Sequence, residues 1–228
     1  MKPIAIIPAR GGSKRIPRKN IQPVGGTPMI ARAITTAINS EIFSDVIVST
    51  DDEEIADISR RYGAYLPRFR SKELSDDYAT TYDVIADALS SSWIGEKNPD
   101  HVCCIYPSSI FVSTSHLIKA YEILVSSGCS YVFPIQEYSP PIQRGLHLDE
   151  NGGVTMIQPE NLLKRTQDFR PTYHDTGQFY WGRKEAWENK EAIFGESSKG
   201  LICKPYEFID IDTPEDLELV TFLFKART

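Results

Sequence analysis

Hydrophobic residues in this chain fall into short continuous runs separated by segments of helical period. Residues 2–8 (KPIAIIP), 45–49 (DVIVS), 101–106 (HVCCIY) and 130–135 (SYVFPI) are apolar and rich in β-branched and aromatic side chains. They lack polar alternation, as strands covered on both faces do. Between them, segments at about 28–40, 52–62, 80–94 and 114–126 carry apolar residues at helical spacing, with Gly63 ending the second. A further short strand is expected at 64–66. Strands alternating with helices predict an α/β domain with a mostly parallel sheet and helices on both faces.

The rhythm breaks after residue 135. Residues 136–176 hold many Pro, Gln, Gly and Asn residues and little periodicity, which reads as an inserted lobe. Alternation returns with 178–183 (QFYWGR), where Phe179, Tyr180 and Trp181 read as strand core. A short helix from Lys184, a strand at 206–212 (YEFIDID) and a last helix starting at Pro214 follow. The 228 residues suit one domain with an insertion. Cys103, Cys104, Cys129 and Cys203 show no CxxC spacing and read as reduced core residues. No segment approaches the ~18 apolar residues of a membrane span, so a cytoplasmic protein is expected.

Charge changes the picture more by its position than by its sum of −6. Residues 1–40 contain seven Lys or Arg and no Asp or Glu; the rest of the chain carries 18 basic against 31 acidic side chains. A local basic segment in an acidic protein points to a pocket for a small polyanion and away from nucleic acid. Five of these cations lie between Arg10 and Lys19, just beyond the first strand. The loop that opens at Ala9 is neither a Walker A sequence nor a GxGxxG fingerprint. Gly11 and Gly12 would let backbone N–H groups approach phosphate oxygens, and Arg10, Lys14 and Lys19 would neutralise a triphosphate and its transition state.

The second constellation is Asp210-Ile211-Asp212. Residues two apart in a strand share a face, so the two carboxylates point the same way and can hold one Mg²⁺, with phosphates and water completing the octahedron. A solvated edge pair is the alternative. Thr213, Pro214, Glu215 and Asp216 make a helix start, and the last two acids are read in that role.

The loop at 8–20 and the DIDTPEDL ending at 210–217, with VIVSTDDEEIA at 46–56 and R-x-x-E-L-S-D at 70–76, resemble the acylneuraminate cytidylyltransferase family nearly end to end. The resemblance implies a Rossmann-like fold, CTP, Mg²⁺, and direct attack of a sugar hydroxyl on the α-phosphate with release of pyrophosphate. It further implies that Asn20 meets the ribose and that Arg70, with the turn around Ser75 to Thr81 that includes Thr80, reads cytosine. This chain has Tyr106-Pro107-Ser108-Ser109 where sialic acid synthetases have Gln-Pro-Thr-Ser, which points away from sialic acid.

The lobe, with Pro141-Ile142-Gln143-Arg144, Arg165-Thr166-Gln167-Asp168 and Tyr173-His174-Asp175-Thr176-Gly177-Gln178, resembles the branch that acts on pseudaminic acid. The resemblance assigns the acidic nine-carbon sugar to Tyr106, Gln143, Arg144, Arg165, Gln167, His174 and Gln178, with Arg144 or Arg165 for its carboxylate; a structural role for His174 stays open. It also implies a homodimer through the lobe. The alternatives are a cytidylyltransferase for sialic acid, legionaminic acid or Kdo, and a nucleotide-binding regulator without turnover.

Overall fold

The computed structural model describes residues 2–91, 94 and 98–227. Its main sheet has the order β11 (Ser198–Cys203), β6 (Tyr131–Glu137), β10 (Phe179–Arg183), β5 (His101–Ile105), β1 (Ile4–Pro8), β4 (Asp45–Ser49). β4, β1 and β5 are mutually parallel, as are β11 and β6, while β10 runs antiparallel to both β5 and β6. β9 (Tyr173–Asp175) adds a short antiparallel pairing to β6.

The unbroken apolar runs have a direct cause. Neighbouring residues of one strand feed opposite cores: Ala5 and Ile7 of β1 join one cluster, Ile4 and Ile6 the other. Cys103 and Ile105 against Val102 and Cys104 do the same on β5, as do Phe179 and Trp181 against Tyr180 on β10. The first cluster is closed by α1 (Met29–Asn39), α2 (Glu53–Arg61) and α4 (Thr114–Ser127), through Ile34, Ile55 and Leu117. The second is closed by α3 (Thr81–Leu89) and α5 (Lys184–Glu188), through Ile85 and Trp187. All four cysteines are buried free thiols. The pattern read at 80–94 continues past α3 into positions that lie partly outside the described residues.

Two expected strands differ. The stretch 64–66 forms only a single bridge, Tyr65 to Ile47. The stretch 206–212 joins no ladder: it opens with a turn at Tyr206, φ 61°, and a bend at Glu207. The strand in this part of the chain is β11, which alternation does not reveal because it is an edge strand with Ile202 67% exposed.

A third, smaller core positions the site. Ile16 from the basic loop, Ile211 from between the two acids and Val220 from α6 (Pro214–Arg227) are buried together with Val24, Met29 and Ile110. Full burial of an isoleucine contributes roughly 1.5–3 kcal/mol. This cluster therefore pins the loop and the acidic pair to each other across 195 residues of chain, 211 minus 16.

Between β6 and β9 the chain makes an excursion over residues 138–172. It holds a two-stranded hairpin, β7 (Leu146–Leu148) with β8 (Val154–Met156), and three single 3₁₀ turns.

Candidate active site

The carboxyl ends of β1 and β5 open into a cleft of about 600 Å³. Ligands bind at this end of parallel strands in open α/β sheets. Arg10, Lys14, Lys19 and Asn20 of the basic loop line it together with Asp210, Asp212, Arg70 and Tyr106. Each has a local anchor. Asn20 donates from Nδ2 to the Arg10 carbonyl at 2.8 Å, which closes the loop on itself. Arg70 is 7% exposed, its N–H donates to the Thr50 carbonyl, and its Nε donates to Ser75 Oγ at 3.2 Å. The Tyr106 hydroxyl lies 2.7 Å from Thr81 Oγ1. Burial pushes that phenol up, so it stays protonated at neutral pH.

The cleft brings opposite charges together. Arg10 Nη1 is 2.8 Å from Asp77 Oδ1, and Lys14 also contacts Asp77. Arg15 Nη2 lies 2.8 Å from Asp212 Oδ1, and Lys19 Nζ 3.6 Å from the same oxygen. Solvent reaches Asp210 through the cleft mouth, yet desolvation first and the Asp212 carboxylate second push its carboxyl up, against the pull of Lys19. Such a carboxylate gains from added positive charge. Although the pair lies outside any strand, its facing follows the period of two, with Ile211 fully buried between the acids. Asp216 accepts from the N–H groups of Asp212 and Thr213, a helix-start role.

Several expected nucleotide contacts sit beside the cleft instead of lining it. Ala9 is fully buried and donates to the Ser49 carbonyl. The Gly11 N–H is taken by Asp51 Oδ1 at 2.9 Å, while Gly12 borders open space. Ser75 acts through Arg70. Thr80 is committed to capping α3 with Asp83, and its neighbour Thr81 faces the cleft. Sequence reasoning also missed Ser13 and Arg15 as lining residues. Asp77 falls within the Ser75–Thr81 turn, and its pairing with Arg10 and Lys14 appears only in the fold.

Of the residues expected to meet a sugar, Tyr106 alone lines this cleft. Gln178 is 1% exposed and turned inward, donating to the carbonyls of Thr176 at 2.8 Å and Ile209 at 3.4 Å, so it ties β10 to the strand-like segment carrying Asp210. Gln143 donates to the Arg170 carbonyl, Arg144 to that of Lys164, and Arg165 pairs with Asp168 at 2.9 Å. The His174 ring places Nδ1 2.8 Å from the Asp175 carbonyl and packs on Tyr138. Gln167 lines a second cleft of about 250 Å³ with Tyr138 and Arg170.

Residues 4–223 match a family model described as cytidylyltransferase. The chain belongs to the cytidylyltransferase family. This cytidylyltransferase is 41% identical over 227 residues to the pseudaminic acid cytidylyltransferase of Campylobacter jejuni, covering 100% of this chain and 98% of that protein. It is 33% identical over 229 residues to the CMP-N,N'-diacetyllegionaminic acid synthase of Legionella pneumophila, covering 100% and 98%. Among solved structures it is similar to CMP:2-keto-3-deoxy-manno-octonic acid synthetase complexed with CTP, with TM-score 0.73 and 16% identity over 100% of both chains. At that identity the likeness shows the fold, a Rossmann-like α/β sheet. No helix among the described residues is long and apolar enough to cross a membrane.

Proposed function

We propose that this cytidylyltransferase activates pseudaminic acid, transferring CMP from CTP and releasing pyrophosphate. The observation that carries the proposal is the convergence in one cleft of Arg10, Lys14, Arg15 and Lys19 with the Asp210/Asp212 pair, in a chain 41% identical to a pseudaminic acid cytidylyltransferase. Arg10, Lys14 and Lys19 bind the triphosphate, which displaces Asp77 from the first two. Asn20 meets the ribose, and Arg70, held rigid by Thr50 and Ser75, faces the base.

The sugar's anomeric hydroxyl attacks the α-phosphorus in line. A new P–O bond forms as the bond to pyrophosphate breaks, the hydroxyl proton passes to solvent, and no covalent enzyme intermediate is involved. Positioning and charge neutralisation supply most of the acceleration in such transfers. Mg²⁺ suits the donor set, because Asp210 and Asp212 offer two hard carboxylates and the charge on Asp210 is disfavoured by desolvation first and by Asp212 second. Asp210 and Asp212 would hold the ion, and bound there it supplies further neutralisation of phosphate charge. Lys19 stays beside the same oxygens and keeps the wall from becoming anionic.

The acceptor half is assigned to Tyr106, to the excursion over 138–172 with Gln143, Arg144, Arg165 and Gln167 as its polar set, and to His174 on the adjoining β9. The hairpin carries Leu146, Leu148 and Val154 at 59%, 75% and 58% exposure, a surface suited to a second copy in a homodimer. Buried thiols and an intracellular nucleotide substrate support a cytoplasmic enzyme.

One assay tests the whole reading: CTP, Mg²⁺ and a panel of pseudaminic, legionaminic, sialic and Kdo acids, with pyrophosphate release measured. The highest kcat/KM is expected with pseudaminic acid. Release with sialic acid alone would overturn the sugar, and CTP binding without release on any acid would favour a regulator.

A further inference from the structure

The loop that carries the phosphate-binding cations is clasped from outside the cleft. Arg18 stands at φ 56°, ψ 31°, a left-handed backbone that L side chains seldom adopt. Its guanidinium is held by three carboxylate oxygens: Nη1 lies 2.5 Å from Asp52 Oδ2, and Nη2 lies 2.9 Å from Asp52 Oδ1 and 2.5 Å from Glu54 Oε2. This is a two-pronged, charge-assisted contact of the stronger kind. Asp52 in turn is fixed at the start of α2, where Oδ1 accepts the Ile55 N–H at 2.9 Å. Arg18 holds the Asp52 carboxyl below its usual range, so the clasp is ionised throughout neutral pH.

Asp52 also meets the other end of the loop. A Cβ on Gly11 would lie 2.7 Å from Asp52 Oδ2, so a side chain there would drive the carboxylate out of its place. Beside it, the Gly11 N–H donates to Asp51. The acids at the end of β4 thus hold the loop at Gly11 and at Arg18. Arg10 and Lys19, the residues immediately outside those two points, line the cleft, whereas Arg18 and Asp52 do not.

We infer that Arg18 and Asp52 are positioning residues for nucleotide binding, fixing the loop backbone so that Arg10 and Lys19 present their charges before the triphosphate arrives. Gly11 serves this clasp by making room for Asp52. A loop shaped in advance avoids an ordering cost on binding. The inference rests on the reading of the loop as the triphosphate site.

Arg18→Gln tests it, since it removes the fork and leaves the α2 cap intact. CTP affinity is measured by calorimetry without sugar, and kcat and both KM values by pyrophosphate release. The Kd and KM for CTP are expected to rise about tenfold, with the acceptor KM within about twofold and kcat falling less than the CTP KM rises. Arg18→Lys, which keeps the charge but not the fork, should recover part of the loss. The double variant with Asp52→Asn should be little worse than either single one.

Unchanged CTP affinity in Arg18→Gln overturns the inference. So does a parallel loss of kcat and both KM values with a lowered Tm, the signature of simple destabilisation. If Arg18→Gln does not fold, Arg18→Lys against parent decides by the same split. If no acid is turned over but calorimetry still separates variants from parent, the clasp stands and the proposed reaction fails. If the parent itself does not bind CTP, both fall.

Discussion

The cleft and the excursion over 138–172 are built on opposite plans. In the cleft, groups distant in sequence are forced together: Ile16, Ile211 and Val220 share a core, and Arg15 and Lys19 reach Asp212. In the excursion, polar groups satisfy one another locally, as Arg165 does with Asp168 and Arg144 with Lys164, while large apolar side chains face solvent. The cleft proposed for the nucleotide is therefore lined and held together by elements of one chain. The excursion is a surface whose charged side chains are mostly paired within it and whose apolar area faces solvent, which suits contact with another surface.

The largest expected effect lies at the acidic wall. Asp210→Asn and Asp212→Asn should each lower turnover by about 10²–10³, the usual cost of removing one preorganised electrostatic group. The Kd for CTP measured without Mg²⁺ should not weaken, because each change removes a negative charge. Near-parental pyrophosphate release across a Mg²⁺ titration would reduce the cleft to a binding site.

Next come the cations. Arg10→Gln and Lys19→Gln should raise the CTP KM about ten- to a hundredfold, at roughly 1.5–3 kcal/mol per charged hydrogen bond, and leave the acceptor KM nearly unchanged. Equal loss for both substrates would break the division between the two regions.

That division explains how far the sequence could be read. Strands were legible because a sheet covered on both faces needs apolar residues at every position, as Ile4 to Ile7 supply. β11 was not, since an edge strand with an exposed Ile202 and a polar start carries no period. The 206–212 stretch has strand composition, but its polar backbone is claimed by side chains: Gln178 takes the Ile209 carbonyl and Asp216 the Asp212 N–H. In the site, charged residue types disclosed Arg10, Lys14, Lys19, Asp210 and Asp212. Roles that depend on chain crossings stayed hidden. Gly11 reads as a phosphate approach and faces Asp51 and Asp52; Gln178 reads as a ligand contact and is a buried tie.

A smaller effect should separate the regions directly. Leu148→Asp combined with Val154→Lys replaces an exposed cross-strand apolar pair with an opposite-charge one, so protomer stability should stay within about 0.5 kcal/mol per change and the CTP KM should not move. Sedimentation should report a shift from dimer to monomer, with a few-fold rise in the acceptor KM. A variant that remains dimeric would place the contact elsewhere.

The smallest effect concerns stability alone. Asp83 sits at the start of α3, where the Lys190 ammonium first, and then the Thr80 hydroxyl and N–H, lower its carboxyl from 3.8 to about 2. A carboxyl lowered by folding contributes stability that is complete above the unfolded value and is lost as pH falls through the folded one. Asp83→Asn should thus lower Tm by about 2–4 °C at pH 7. The gap should narrow between pH 4 and pH 2, as the parent loses a contribution the variant never had. Asp168→Asn supplies the contrast, because its pair with Arg165 is local and solvent-exposed, and such pairs contribute little; its Tm should follow the parent's at every pH. A gap at Asp83 that does not change with pH would mean that the side chain's shape, not its charge, holds the α3 end of the cleft.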